Sequence, residues 1–247
     1  MIDLHCHILP GLDDGPKSMD EALQMCLLSY RDGVRRIVAT PHIKQGVYEN
    51  DRLGIINRVI ELNEVIKNQS PEVDLQVFPG ADVHFHEGMI KDLENGTLVT
   101  VGDGGKFLFV EFPFQGIPFG AEEVLFQLLV RGMVPIITHP ERILDILKDF
   151  GRYENMIRMG CLGQVTAMSL TGGFGSRIMD VAERLLKKGL LHLIASDAHS
   201  LDGRPPLLSN ALKRAERIVG KQEAQRMVTE YPQAILEGRR PDISEPI

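Results

Sequence analysis

The sequence predicts an α/β fold, a distorted seven-stranded (β/α)7 TIM-like barrel, on three observations. Strand-like and helix-like segments alternate for seven rounds along 247 residues, a length that α/β barrels commonly fill as one unit. The strand segments are rich in Val, Ile and Leu without polar alternation, as expected of parallel strands buried on both faces. Residues able to hold a metal fall at the C-terminal end of six of the seven strands, the rim where such barrels carry their chemistry.

The first strand, residues 1–7, ends in His5-x-His7, which places both imidazoles on one face because side chains repeat every second residue. The turn that follows offers Asp13 and Asp14 before Gly15, so a carboxylate can swing back to the strand end. Asp13 is open between capping that turn and supporting a ligand from behind. Ser18 and Glu21 form a capping box that starts a helix, and Gly33 stops it. Strand two, Arg36–Thr40, leads to Pro41-His42, and a helix with amphipathic spacing from Leu53 to Ile66 follows. Strand three runs from about Leu75 to Val83 and carries Asp82; a short helical stretch covers 87–95.

Strand four, Lys106–Phe112, is apolar except for Glu111, and a helix over 120–131 follows it. Burying an unpaired carboxylate costs several kcal/mol, so Asp82 and Glu111 each call for a cation. Strand five is Val134–His139, strand six the weaker Gly163–Thr166, and strand seven Leu190–Asp197, with His199 just beyond. Two helices, about 205–219 and 221–230, close the chain, and the Pro-rich tail from Arg239 is expected to be loose. His84-x-His86 reads as ordinary partly exposed histidines and His192 as a satisfied core histidine.

A net charge of −7 and a pI near 5.6, with no basic arm, argue against nucleic-acid or membrane-surface binding. Three widely spaced cysteines suit a reducing compartment, and no segment reads as a membrane span or signal peptide, so a cytoplasmic enzyme is expected. Thiol-based phosphate chemistry needs an Arg six positions after a Cys. Leu12, Asp32 and Ala167 stand there instead. Gly102-Asp-Gly-Gly105 and Gly172-Gly-Phe-Gly175 lack phosphate-loop spacing and read as a turn and a mobile loop.

Taken in order, His5-x-His7, Asp13-Asp-Gly-Pro-Lys-Ser18, His42, Gly80-Ala-Asp82, Val110-Glu111-Phe112, Thr138-His139-Pro-Glu-Arg142 and Ala195-Ser-Asp197-Ala-His199 resemble the polymerase and histidinol phosphatase (PHP) superfamily. With Leu201-Asp-Gly-Arg204-Pro-Pro206, the set is similar to the bacterial PHP-type protein tyrosine phosphatases linked to capsule and exopolysaccharide synthesis. The resemblance runs from Met1 to about Pro206 and implies one PHP metallophosphatase domain over 1–247, built as a distorted seven-stranded barrel.

It further implies three divalent metal ions, manganese first, with iron, zinc, magnesium or cobalt as alternatives. His5, His7 and Asp197 would hold one, Glu111 and His139 a second, and Asp14, His42 and His199 a third. Asp82 would bridge the first two where the family usually has Glu, a bridge shorter by one methylene. The activity implied is hydrolysis of phosphotyrosine on the tail of a bacterial tyrosine kinase that regulates capsule synthesis. In that reading a metal-bound hydroxide attacks phosphorus without a phosphoenzyme. Arg142 and Arg204 clamp the phosphoryl oxygens, and His42 or His199 serves the leaving group. Tyr48, Phe85, Phe114 and Phe119 are the aromatics near strand-end loops that could stack on the substrate. Two other readings stay open: a small-molecule phosphatase such as one for histidinol phosphate, and a non-catalytic PHP module stabilised by metal.

Overall fold

Among the described residues every pairing between strands is parallel, as the unbroken apolar strands require. The computed structural model describes residues 1–244. β1 (Ile2–Cys6), α1 (Met19–Arg31), β2 (Arg36–Ala39), β3 (His42–Ile43) and α2 (Arg52–Gln69) open the chain. β4 (Gln76–Pro79), β5 (Asp82–His84), α3 (Met89–Glu94), β6 (Phe107–Glu111) and α4 (Ala121–Val130) follow. β7 (Val134–Thr138), α5 (Leu144–Lys148), α6 (Gly151–Met159), β8 (Leu162–Thr166), α7 (Ala167–Leu170) and α8 (Ser176–Lys187) come next. β9 (Leu193–Ala195), α9 (Ser209–Val219), α10 (Lys221–Arg226) and α11 (Glu230–Leu236) complete the order.

Among the described residues nine short strands in two sheets replace the seven strands expected of a single barrel sheet, with orders β1-β2-β4 and β3-β5-β6-β7-β8-β9. The difference arises at two places: a short strand forms past the expected end of strand two at Thr40, and expected strand three, residues 75–83, is cut in two. Pro41 has no N–H to give a ladder, so the segment after Ala39 leaves β2 and resumes as β3. At Gly80 the chain passes so close to β2 that a Cβ would lie 2.6 Å from Val38 Cγ1, and β4 gives way to β5. Asp82 N then donates to Pro41 O at 3.2 Å, carrying both segments into the second sheet together. At the other edge His7 N donates to Ala198 O and Asp197 N to His5 O, each at 2.8 Å, so β1 meets the chain beyond β9.

The capping expectation at α1 holds in part. Ser18 Oγ accepts from Glu21 N at 3.2 Å, but Glu21 reaches back to Lys17 N rather than to Ser18 N. In α2 the buried stripe is Ile55, Val59, Leu62 and Ile66, while Leu53 and Ile60 of the expected apolar face are exposed. Among the described residues three helices close the chain instead of two, because the Met227–Thr229 turn ends α10 early and α11 follows it. The tail is tied down as far as Ser244: Pro241 is buried, Ile243 packs on the core, and Arg240 Nη2 donates to Gly160 O at 2.9 Å. Residues 245–247, the end of that expected loose tail, lie outside the described residues. Among the described residues no helix is long and apolar enough to cross a membrane.

His192 is the satisfied core histidine expected: its Nδ1 accepts from Gly163 N at 3.0 Å. Burial first, and then the Arg240 charge, lower its pKa from 6.5 to about 4. Between those values the unfolded chain binds the extra proton and the folded chain does not, so stability falls as pH drops from 6.5 toward 4. In urea titrations of metal-stripped protein at pH 7 and pH 5, the native chain should lose about 2 kcal/mol more than His192→Asn, which keeps an acceptor but cannot titrate. Equal losses would remove His192 from the account.

Candidate metal centre

The end of β1 sets the centre. Alternation sends Cys6 into the core and turns His5 and His7 to the other face, with Nε2 atoms 3.1 Å apart. His5 Nδ1 lies 2.9 Å from Gln164 Oε1 and His7 Nδ1 2.6 Å from Asp13 Oδ2. Both partners are acceptors, so each ring donates from Nδ1 and turns an unprotonated Nε2 to the other. Burial lowers the His5 pKa to about 3 and holds His7 well below the ordinary range, so no proton relieves the pair. Two facing lone pairs at this distance fit a shared cation.

The remaining expected residues converge on the same point. Asp197 Oδ1 lies 3.6 Å from Nε2 of both His5 and His7 and 3.8 Å from His199 Nδ1. Asp82 Oδ2 is 3.5 Å from His5 Nε2, 3.7 Å from His42 Nδ1 and 3.9 Å from His139 Nε2. Glu111 Oε2 lies 3.5 Å from His42 Nδ1, and its Oε1 3.5 Å from His139 Nε2. Asp14 Oδ1 is 3.3 Å from His199 Nε2 and 3.8 Å from His42 Nε2. Asp82 Oδ2, His42 Nδ1, His139 Nδ1 and His199 Nε2 are buried without a hydrogen-bond partner, and unpaired buried polar atoms are costly unless a ligand satisfies them.

Three groups have donor atoms close enough to share an ion: His7, Asp14, His42 and His199; His5, His7 and Asp82; His42, Asp82 and Glu111. This grouping differs from the expected partition, because β3 and β5 pair His42 directly with Asp82, whereas His139 faces Glu111 from β7. Asp197 keeps Oδ1 beside His5 and His7, while its Oδ2 takes Arg142 Nη1 at 2.7 Å and Arg204 Nη2 at 2.6 Å. The arginines thus pair with Asp197.

The charges are strongly tuned. Burial, with Glu111 and Asp197 nearby, raises the Asp82 carboxyl well above its usual range, so it needs a cation to stay ionised. Burial also opposes ionisation of Asp197, but His5, Arg204, His139 and Arg142 outweigh it and hold that pKa low. Glu111 is likewise lowered against its burial by hydrogen bonds from His139 and His84. Among the described residues only Asp103, His139 and Asp197 carry a positive φ without being Gly; the last two, at 35° and 51°, are at the cluster. Backbone strain of this kind collects at functional sites.

Asp13 fills both of the roles left open for it, and several other contributors were not read from the sequence. Asp13 does two jobs: Oδ1 accepts from Gly15 N at 2.9 Å, and Oδ2 holds His7 and the His42 N–H. Asp3, buried with its pKa raised to about 6 by desolvation, accepts from Ser196 N beside Asp197. Thr166 and Gln164 brace Asp197 and His5 from β8, the strand without a candidate ligand. Glu141 is buried and accepts from Thr166 N and Ser169 Oγ, pinning the turn that carries His139 and Arg142. His84 is not a bystander, since its Nδ1 is 3.2 Å from Glu111 Oε2; His86 pairs with Asp92 instead.

A cavity of about 210 Å³ opens over the cluster, lined among others by Asp14, Lys44, Tyr48, Phe114, Arg142 and Arg204. Of the four aromatics considered, Tyr48 stacks on His42 with ring centres 5.7 Å apart, and Phe114 lies 5.6 Å from His139. Phe119 is fully exposed and Phe85 packs in the core against Phe112.

Fold and cluster together define a parallel α/β protein whose strand ends gather groups that could hold metal ions. The profile of the family described as capsular polysaccharide synthesis, CpsB/CapC, matches residues 1–237, and the chain belongs to that family. It is 35% identical over 237 residues to tyrosine-protein phosphatase YwqE of Bacillus subtilis, covering 96% of this chain and 91% of the relative. It is 31% identical over 243 residues to tyrosine-protein phosphatase CpsB of Streptococcus agalactiae serotype III, covering 96% and 98%. A solved structure described among those of YwqE from Bacillus subtilis and CpsB from Streptococcus pneumoniae, "unique metal-dependent tyrosine phosphatases", superposes with a TM-score of 0.94 at 32% identity. It covers 100% of this chain and 98% of that one. The phosphotriesterase of Mycobacterium tuberculosis, at 14% identity and TM-score 0.51 over 90% and 86% of the two chains, shares the fold.

Proposed function

We propose that this chain is a metal-dependent protein tyrosine phosphatase. The observation that carries the reading is the meeting of Arg142 and Arg204 on one oxygen of Asp197, beside the histidine and carboxylate cluster, in a cavity with aromatic walls. His5, His7, Asp14, His42, Asp82, Glu111, His139, Asp197 and His199 would hold three divalent ions, manganese first. Bound there, the ions supply charge neutralisation and an activated water.

The chain's own groups do the rest. Arg142 and Arg204 grip phosphoryl oxygens through forked N–H donors. Tyr48 and Phe114 flank the leaving aryl group, with His42 and His199 at the same mouth to serve it. No cysteine replaces this chemistry: all three are buried, desolvation pushes Cys161 up to about 12, and Cys6 is raised further still.

Seven strand segments, once β2 with β3 and β4 with β5 are joined, together with the β1 to Ala198 contact, favour a distorted seven-stranded barrel. The family match over 1–237 favours one PHP metallophosphatase domain across 1–247. Three free cysteines suit the cytoplasm. The substrate would be the phosphotyrosine tail of a bacterial tyrosine kinase that regulates capsule synthesis.

The test is phosphate release by manganese-reconstituted protein from a phosphotyrosine peptide and from histidinol phosphate, with a metal-stripped control. Metal-dependent release from the peptide is expected. Preference for histidinol phosphate would move the chain to the small-molecule branch.

A further inference from the structure

The Gly172-Gly-Phe-Gly175 loop carries one large side chain, and it does not point to solvent. The Arg142 guanidinium lies between two rings, 4.6 Å from the centre of Phe174 and 4.7 Å from that of Phe114. Arg204 approaches the same Phe174 ring at 5.9 Å. Both guanidiniums are largely covered, with side-chain exposures of 13% and 25%, and water competes little for them. A cation over an aromatic face gains most when desolvated.

The loop is built to hold this pose. Gly172 and Gly175 have φ of 83° and 92°, a region that side-chain-bearing residues rarely adopt, and a Cβ on Gly173 would lie 2.6 Å from Met168 Cε. The backbone folds tightly against α7 and turns Phe174 back under the arginines. Arginine pairs with Asp197 through single N–H donors, which fix a point but not a plane. The rings supply the plane. Forked recognition of a phosphoryl group needs that plane set before substrate arrives.

We infer that Phe174 is a positioning residue for the phosphoryl group, holding the Arg142 and Arg204 guanidiniums in the plane that grips it. The inference rests on the phosphatase reading for what the arginines bind, not for how they are held. It is tested with Phe174→Ala, Phe174→Leu and Phe174→Tyr by two measurements. One is the rate at which phenylglyoxal modifies Arg142 and Arg204, followed by peptide mass spectrometry. The other is steady-state hydrolysis of a phosphotyrosine peptide by the manganese-loaded protein.

Loss of the ring should raise KM about tenfold in Phe174→Ala while kcat changes less than about threefold, and both arginines should be modified several-fold faster. Phe174→Tyr should recover most of the native KM and protection. Phe174→Leu fills the space without a π face and should resemble Phe174→Ala. Native modification rates in Phe174→Ala, or full recovery by Phe174→Leu, would overturn the inference. If Phe174→Ala does not fold, the Leu and Tyr variants decide it. If the native protein releases no phosphate from the peptide, the phosphatase reading fails, and the modification rates still decide the role of Phe174.

Discussion

Asp197→Ala is expected to lose metal and activity together, with kcat/KM on a phosphotyrosine peptide falling by about 10³-fold or more. The size follows from how many groups meet at this carboxylate. Oδ1 stands within 3.8 Å of His5, His7 and His199, while Oδ2 takes both arginines and the Thr166 hydroxyl. Its removal strips the histidines of an anion and leaves two covered guanidiniums unpaired. Breaking a buried pair by deleting one partner typically costs about 3–5 kcal/mol. The metal-stripped variant should therefore melt well below native protein, and Asp197→Asn, which keeps shape but not charge, should fall between. Emission spectroscopy for metal content and calorimetry for melting check this. An unchanged metal count in Asp197→Ala would take Asp197 out of the candidate ligands.

That Asp197 and its eight companions could be picked out beforehand reflects how parallel strands work. A charged or histidine side chain interrupting an apolar run at a strand's C-terminal end has few roles, and the topology brings all such ends to one rim. β6 and β7 were legible to within a residue at each end for a related reason: Phe107–Glu111 and Val134–Thr138 are buried throughout, so their pattern is unbroken.

What escaped was set by distance through space. Gln164 touches His5 across 159 residues of sequence, and a glutamine in a weak strand gives no local sign of that contact. The strand break at Gly80 depends on how closely two segments pass, which no single segment encodes. Phe174 was hidden by its glycines, whose usual meaning is freedom; here their positive φ values fix one shape. Ile243 likewise looked like part of a loose, Pro-rich tail until the core beneath it was visible.

Arg142→Ala and Arg204→Ala are expected to keep metal and yet lower kcat/KM by about 10²- to 10³-fold each, as removal of a preorganised donor does elsewhere. A guanidinium has no lone pair to give a cation, so metal content should be insensitive to both. The double variant discriminates further. Both guanidiniums end on Asp197 Oδ2 and both lie over Phe174, so each holds the other in place. Loss of one should already misplace its neighbour, and the double variant should fall short of the product of the single losses by a coupling of about 0.5–3 kcal/mol. Lysine at either position supplies charge without the fork and should recover only a small part of the loss. Losses that multiply independently would mean that the arginines bind separate groups, and a parallel fall in metal content would mean that they serve the cluster rather than the phosphoryl group.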